Sequence, residues 1–396
     1  MKKIYAFLIA LLLCTHYKVM SQSEVWGLTS ASNDGFGTMF SMTTGSNAVA
    51  FTYPFSGNPG SSPQHTKLLQ AANGKLYGLT NTGGAANTGV LFEYDITNNT
   101  YTKKVDFTGS NGANPRGALI ETSNGILYGM TSAGGANNVG VIFEYDYVNN
   151  IYTKKVDLAT STGSGPYGTL YKAANGKLYG LTRSGGSNSA GTIFEYDLNG
   201  TYTKKVDLSS STGGVPFGAF VAASNGSLYA LASNGGTANV GTIIEYDYVN
   251  NVCNKKIDLT ATNGSSPQGS MILASDGNLY GLTFSGGTSS QGAIFQYSVS
   301  SNTYTKLFNL TSATTGAPPV PVPPPIPAVI NTMSAPRSTS AIRSRSSSAA
   351  WRPTSGLAPA PRPLVMLLPS CKTAWASIFL SAWASVLAQT KSTPST

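Results

Sequence analysis

The sequence predicts an all-β fold, a β-propeller of about six four-stranded blades built from repeats of about 51 residues. Three observations predict it. First, the tyrosine of a Leu-Tyr-Gly/Ala core recurs at Tyr77, Tyr128, Tyr179, Tyr229 and Tyr280, at spacings of 51, 51, 50 and 51 residues, and Trp26-Gly27-Leu28-Thr29 stands 51 residues before Tyr77-Gly78-Leu79-Thr80. A fixed period near 50 marks a propeller, solenoid or array. Second, turn residues recur at fixed offsets within each unit. Third, residues 24–317 show no helical periodicity. Charged residues are only 10% of the chain against a usual ~25%, and glycine reaches 44 of 396 residues, as suits many tight turns.

The chain opens with Met1-Lys2-Lys3 and an apolar run, Ala6–Leu13, followed by Val19-Met20-Ser21. A positive start, a short apolar core and small residues before the cut predict a Sec signal peptide over residues 1–21, too short to span a bilayer. A lipoprotein reading at Cys14 is weakened by Leu13, which stands where a small residue is expected.

Residues 22–316 form the predicted repeat domain. Each unit reads as four strands. An apolar first strand ends at Asn-Gly or Asp-Gly (Asn73-Gly74, Asn124-Gly125, Asn175-Gly176, Asn225-Gly226, Asp276-Gly277). That dipeptide suits a type I′ hairpin. The second strand follows, as in Lys75–Thr80. A Gly-Gly loop leads to the third strand, as in Gly140–Asp146, where Val141, Phe143 and Tyr145 share one face. An Asn-rich turn leads to the fourth, as in Ile151–Leu158. A proline then marks each link: Pro63, Pro115, Pro166, Pro216 and Pro267. Apolar weight on both faces of the second strand fits a blade packed between neighbours. The first unit lacks its own first strand. Three outcomes follow: a three-stranded first blade, an imperfect closure or an open array.

From Ala317 the composition changes. Residues 317–328 read as a proline-rich linker. Residues 329–396 read as a low-complexity, basic, disordered tail, or as a segment translated out of frame, which the coding DNA decides. The net charge of +9 belongs to the ends: residues 24–317 hold 15 lysines and arginines against all 16 acids. The repeat body therefore offers no electrostatic footprint for nucleic acid.

The candidate chemistry is sparse. Glu93 and Asp95, Glu144 and Asp146, Glu195 and Asp197, and Glu245 and Asp247 are paired carboxylates of the kind that hydrolyse glycosides or bind Ca²⁺. They recur in four units, whereas a catalytic pair is unique, so a structural role is expected. The pairs Lys103-Lys104, Lys154-Lys155, Lys204-Lys205 and Lys255-Lys256 read as a solvated outer strand guarded against edge pairing, with a polysaccharide-receiving ring as the rival. His65 is the only histidine after the leader, which excludes a histidine triad or zinc cluster; surface placement at a link is expected. Cys253 replaces a recurring tyrosine and reads as a small core residue.

The string LYGLT-x₂-GG-x₅-G-x-x-FEYD-x₄-YTKKVDL resembles the GloVer tandem-repeat family of exported bacterial proteins, over roughly residues 24–316. The resemblance implies a β-propeller whose C-terminal segment anchors or sorts it, including by type IX secretion; no sorting domain is recognisable here. It implies no catalytic residue. The sequence thus predicts a secreted or cell-surface, monomeric, non-enzymatic binding or scaffold module. Catalytic, cofactor and metal residues are none, and no membrane span is expected. The expected partner is a polysaccharide or an envelope protein. The rival is a carbohydrate-active enzyme, a polysaccharide hydrolase or lyase, with its site at the propeller mouth.

Overall fold

The computed structural model describes residues 24–31, 35–43 and 49–311. The leader, the proline-rich linker and the basic tail lie outside them. The described residues form six antiparallel sheets set as blades of a propeller. In every sheet the spatial order is the sequence order. Blade 1 has three strands, β1 (Glu24–Thr29), β2 (Thr38–Thr43) and β3 (Val49–Pro54). Blade 2 has four: β4 (Leu69–Gln70), β5 (Leu76–Thr80), β6 (Val90–Asp95) and β7 (Thr100–Asp106). Blades 3 to 6 repeat that plan over residues 120–157, 171–207, 221–258 and 272–309. Among the described residues the first unit contributes a three-stranded sheet.

One cross-strand pair sets the packing of each blade. Gly180 lies opposite Phe194, and a Cβ on Gly180 would sit 2.2 Å from Phe194 Cζ. The phenyl ring lies flat over the glycine and stacks on Tyr202 at 5.0 Å. Gly27–Phe40, Gly78–Phe92, Gly129–Phe143 and Gly281–Phe295 repeat the pairing. Blade 5 changes both partners together: Ala230 faces Ile244, and Cys253 replaces the stacking tyrosine. A smaller side chain on the third strand leaves room for the Cβ on the second. Cys253 is half-buried against the core of blades 4 and 5, and burial pushes its thiol up to about 11.

The inner hairpins differ from expectation. In blade 2 the Gly74 amide donates to the Ala71 carbonyl at 2.8 Å, and only Gly74 of the Asn-Gly pair has a positive φ, +81°. This is a type I turn closed by a left-handed glycine, not a type I′ turn. The asparagine instead accepts the Lys75 amide through Oδ1 at 3.1 Å. The Gly-Gly loops close on the outer strand. Asp207 Oδ1 accepts the Ser187 amide at 2.9 Å, and a Cβ on Gly186 would lie 2.4 Å from that oxygen.

Cores form at the junctions between consecutive blades, from blade 1–2 to blade 5–6. Each takes one apolar residue from the inner segment of the following blade: Leu68, Leu119, Leu170, Phe220 and Met271. Four of the five also receive a phenol-to-carbonyl bond, such as Tyr202 to the Thr162 carbonyl at 3.0 Å and Tyr304 to the Asn263 carbonyl at 2.7 Å; at the blade 4–5 junction Cys253 stands in the tyrosine's place. Among the described residues no such core joins blade 6 to blade 1.

Candidate functional site

The links that carry the chain from one blade to the next converge on the axis. Gly117, Gly168 and Gly218 are so close to the following link that a Cβ would meet the carbonyl of Gly168, Gly218 or Gly269 at 2.1–2.2 Å. Backbone packs on backbone there, so the residues on either side of each glycine project to the axis. Before the glycine stand Arg116, Tyr167, Phe217 and Gln268; after it stand Ala118, Thr169, Ala219 and Ser270. The blade 2 link is one residue longer from Pro63 and runs Gln64-His65-Thr66-Lys67. It therefore contributes His65 and Lys67 to the two rings.

The first ring forms an aromatic cluster. His65 lies 5.9 Å from Tyr167 and 6.1 Å from Phe217 between ring centroids. The Arg116 guanidinium lies 4.5 Å over Tyr167, and Arg183 lies 5.4 and 5.1 Å over Tyr167 and Phe217. Arg116 also donates to Gln64 Oε1 at 2.9 Å. Cation–π contacts of this kind contribute ~0.5–2 kcal/mol each. Burial and then the Arg116 charge hold His65 down to about 4, so it is neutral at pH 7. His65 is thus half-buried at the axis, not on the outer surface as its place in a link suggested.

The second ring opens on a cavity of about 710 Å³. Its walls include Trp26 and Leu28 of β1, Phe220, Met271, and the hydroxyl-bearing Thr169 and Ser270. The Ser270 and Thr169 hydroxyls accept the amides of Ala219 at 2.7 Å and Ala118 at 2.9 Å. Lys67 is the exception in this ring. Where the other links place alanine, threonine or serine, Lys67 lines the cavity with an amine that water can reach. Protein surrounds it nonetheless, and that desolvation lowers its pKa. Among the described lining residues there is no Asp or Glu, and Lys67 Nζ makes no salt bridge or hydrogen bond. A partly desolvated cation without a counter-charge is a receptor for an anion, because pairing recovers what desolvation costs.

The recurring charged residues lie elsewhere and satisfy one another. Tyr77 donates to Glu93 at 2.5 Å, and Lys75 Nζ lies 2.8 Å from the same carboxylate. Burial pushes Glu93 up, but the bonds from Lys75 and Tyr77 outweigh it and hold the carboxyl below its ordinary range. Tyr179–Glu195 and Tyr229–Glu245 repeat the bond at 2.6 Å, and Tyr128 donates to Glu144. The lysine pairs divide their work. Lys103, Lys154, Lys204 and Lys255 pair with Asp106, Asp157, Asp207 and Asp258 at 2.8–2.9 Å; Lys155 and Lys256 reach Glu144 and Glu245 at 3.5 and 3.2 Å. Asp95, Asp146 and Asp247 bind the amides of the turns that follow them. Neither set converges on the cavity. No group of three or more His, Cys, Asp or Glu able to hold a metal occurs among the described residues, and none of their helices is long and apolar enough to cross a membrane.

Lys67 was not singled out by the sequence reading. The signal was present: aligned link by link, its position is small in every other blade. The same alignment shows that the residues before the axial glycine vary in chemistry while their neighbours stay constant.

The profile of the Gloeobacter/Verrucomicrobia repeat matches the chain over residues 19–223 and 206–322. No curated protein matches the chain. Solved structures with a similar fold include TolB from Acinetobacter baumannii (13% identity, 75% of this chain and 66% of that one, TM-score 0.45). The extracellular domain of a hybrid two component system from B. thetaiotaomicron is another (11% identity, 74% and 34%, TM-score 0.49). A third is a 6-phosphogluconolactonase structure from Bacteroides uniformis (14% identity, 72% and 80%, TM-score 0.46). The chain thus spans just under two thirds of the first of these and about a third of the second.

Proposed function

The chain belongs to the Gloeobacter/Verrucomicrobia repeat family, and from that premise we propose that it is an exported, non-enzymatic binding module that takes an acidic ligand into its axial cavity. Export rests on the leader at residues 1–21, and the module acts as a monomer, secreted or at the cell surface. The ligand class is an acidic polysaccharide, whose carboxylate pairs with Lys67 while the sugar ring lies against Trp26 and Met271. The single observation that carries this reading is Lys67 in a cavity with no described carboxylate. Glycoside hydrolysis ordinarily requires two carboxyl groups facing the scissile bond, and the lining supports binding over that chemistry.

The test is calorimetry with oligogalacturonate and with the neutral galactose oligomer. The acidic oligomer binds and the neutral one binds weakly. Lys67→Met lowers affinity for the acidic oligomer by about 10- to 150-fold, the equivalent of one charge-assisted bond of ~1.5–3 kcal/mol. Equal affinity for both oligomers, or an unchanged affinity in Lys67→Met, refutes the ligand class. Release of reducing or unsaturated ends from a polysaccharide panel transfers the reading to a carbohydrate-active enzyme.

A further inference from the structure

Arg116 and Arg183 are the only arginines between residues 24 and 311, and the fold brings both over one ring, that of Tyr167. Each breaks the repeat. Arg116 takes the axial position that Tyr167, Phe217 and Gln268 hold in blades 4, 5 and 6. Arg183 follows the second strand of blade 4, where the other four-stranded blades carry Asn81, Ser132, Ser233 and Phe284. Three of those side chains fasten the next link. Asn81 Nδ2 donates to the Pro115 carbonyl at 3.5 Å, Ser132 Oγ to the Asn114 carbonyl at 2.7 Å, and Ser233 Oγ to the Pro267 carbonyl. Arg183 forgoes that bond and lays its guanidinium over Tyr167 and Phe217.

Stacking alone leaves this pair poorly satisfied. Two like charges on one ring repel each other. A half-buried guanidinium also loses water, and only acceptors restore what it loses. Arg183 is half-buried, and its Nε is buried without a hydrogen-bond partner. Every ion pair among the described residues is made by a lysine, none by Arg183. The sequence beyond Asp276 holds no further Asp or Glu. His65, beside the two stacked rings, is neutral at pH 7 and so offers no counter-charge. The place is also distinct from the cavity: His65 and Phe217 line it, whereas Arg116, Tyr167 and Arg183 do not.

We propose that Arg116 and Arg183, stacked on Tyr167, form a second ligand site that takes a dianionic phosphoryl group, free or as a monoester. The charges match: two guanidinium groups meet an anion of about −1.5 to −2. The shapes match as well. Each guanidinium is a planar fork of donors, and a phosphoryl group has three oxygens to share between two forks. A carboxylate offers one charge and two oxygens, and leaves one arginine unsatisfied. Tyr167 and Phe217 hold the forks in place before the ligand arrives, so little side-chain freedom remains to be lost on binding. The site rests on residues that the acidic-sugar reading does not use, and it stands or falls apart from Lys67.

The test is calorimetric titration of the full chain at about pH 8, where a phosphate monoester is a dianion. Methyl phosphate is expected to bind, and acetate at least about tenfold more weakly. Inorganic phosphate in a parallel titration separates the sources: tighter binding than methyl phosphate marks free phosphate as the ligand, weaker binding an ester. Arg183→Ser installs the residue of blades 3 and 5 together with its bond to the link, so the variant keeps its fold. It lowers affinity for methyl phosphate by about 10- to 150-fold, the effect of one charge-assisted pair. Arg116→Gln, which copies blade 6, does the same. Lys67→Met leaves that affinity unchanged. Absence of methyl phosphate binding at millimolar concentration, equal affinity for acetate, or an unchanged affinity in Arg183→Ser overturns the proposal. So does a loss in Lys67→Met as large as that in Arg183→Ser, which would put the phosphate in the cavity.

Discussion

Tyr196 carries a buried hydroxyl that nothing satisfies, and its replacement by phenylalanine is expected to stabilise the protein. In the equivalent position Tyr145 donates to Asn150 Oδ1 at 2.7 Å, Tyr246 to Asn251 at 2.9 Å and Tyr297 to Asn302 at 2.7 Å. Those asparagines sit in the turn between third and fourth strands, with φ of +52° to +57°. Blade 4 has one residue fewer there, Leu198-Asn199-Gly200, and Tyr196 Oη is buried without a partner. An unsatisfied buried hydroxyl costs ~1–3 kcal/mol, whereas a made hydrogen bond contributes ~0.5–1.5 kcal/mol net. Tyr196 is fully buried, and phenylalanine keeps its shape. Tyr196→Phe should therefore gain about 1 kcal/mol, and Tyr145→Phe should lose about 1 kcal/mol, since the exposed Asn150 can be rehydrated. A difference of ~2 kcal/mol separates the two melting temperatures by roughly 4–8 °C in a domain of this size. Urea denaturation of the two variants beside the parent measures it. Equal destabilisation by both would mean that the Tyr196 hydroxyl has a partner, such as a trapped water, and that the reasoning is wrong.

Gly180→Ala should cost ~1–3 kcal/mol through the clash with Phe194, and the double variant Gly180→Ala/Phe194→Ile, which copies the blade 5 pair, should recover part of it; additive costs in the double-mutant cycle would remove the argument. Tyr202→Phe should lose about 1 kcal/mol in chemical denaturation by deleting the bond to the Thr162 carbonyl, and no loss would show that the phenol does not join blades. His65 is held at about 4 in the fold against an ordinary 6.5. The unfolded chain therefore binds the proton first, and the stability held above pH 6.5 falls as pH drops from 6.5 towards 4, by at most ~3 kcal/mol. His65→Gln should flatten that part of the stability–pH curve, and an unchanged curve would place His65 in water.

The fold was legible in the sequence because its information is periodic. The Tyr77 series, the Gly-Gly loops and the Phe-x-Tyr strands each recur at one offset, and packing between blades requires that sameness. The spacing of 50 between Tyr179 and Tyr229 even marks the shortened turn that strands the Tyr196 hydroxyl. The hairpin type was misread because Asn-Gly serves both turns, and only the backbone shows that Asn73 keeps an ordinary φ while Gly74 alone turns left-handed. The site was illegible for the opposite reason. It sits in the two positions that break the repeat, and a reading that aligns the repeats discards what varies. The extra residue after Pro63 compounds this: counted from the link prolines His65 and Lys67 fall one position late, although both stand 51 residues before Arg116 and Ala118.

The phenol bonds that join the blades all point the same way along the chain. Tyr101, Tyr152, Tyr202 and Tyr304 reach back to carbonyls of Pro59, Asn111, Thr162 and Asn263, some forty residues earlier. Each clasp thus joins a blade to a segment already synthesised, and never to one still to come. A chain emerging amino end first, whether from a ribosome or from a membrane pore, can fasten blades 2, 3, 4 and 6 as soon as the fourth strand of each is out, without waiting for the next. Assembly then advances as a ratchet in which no step needs a distant partner until the seam. The last event, bringing the final blade to the first, is the longest-range step of that order, beyond the axial contacts of His65 with Tyr167 and Phe217.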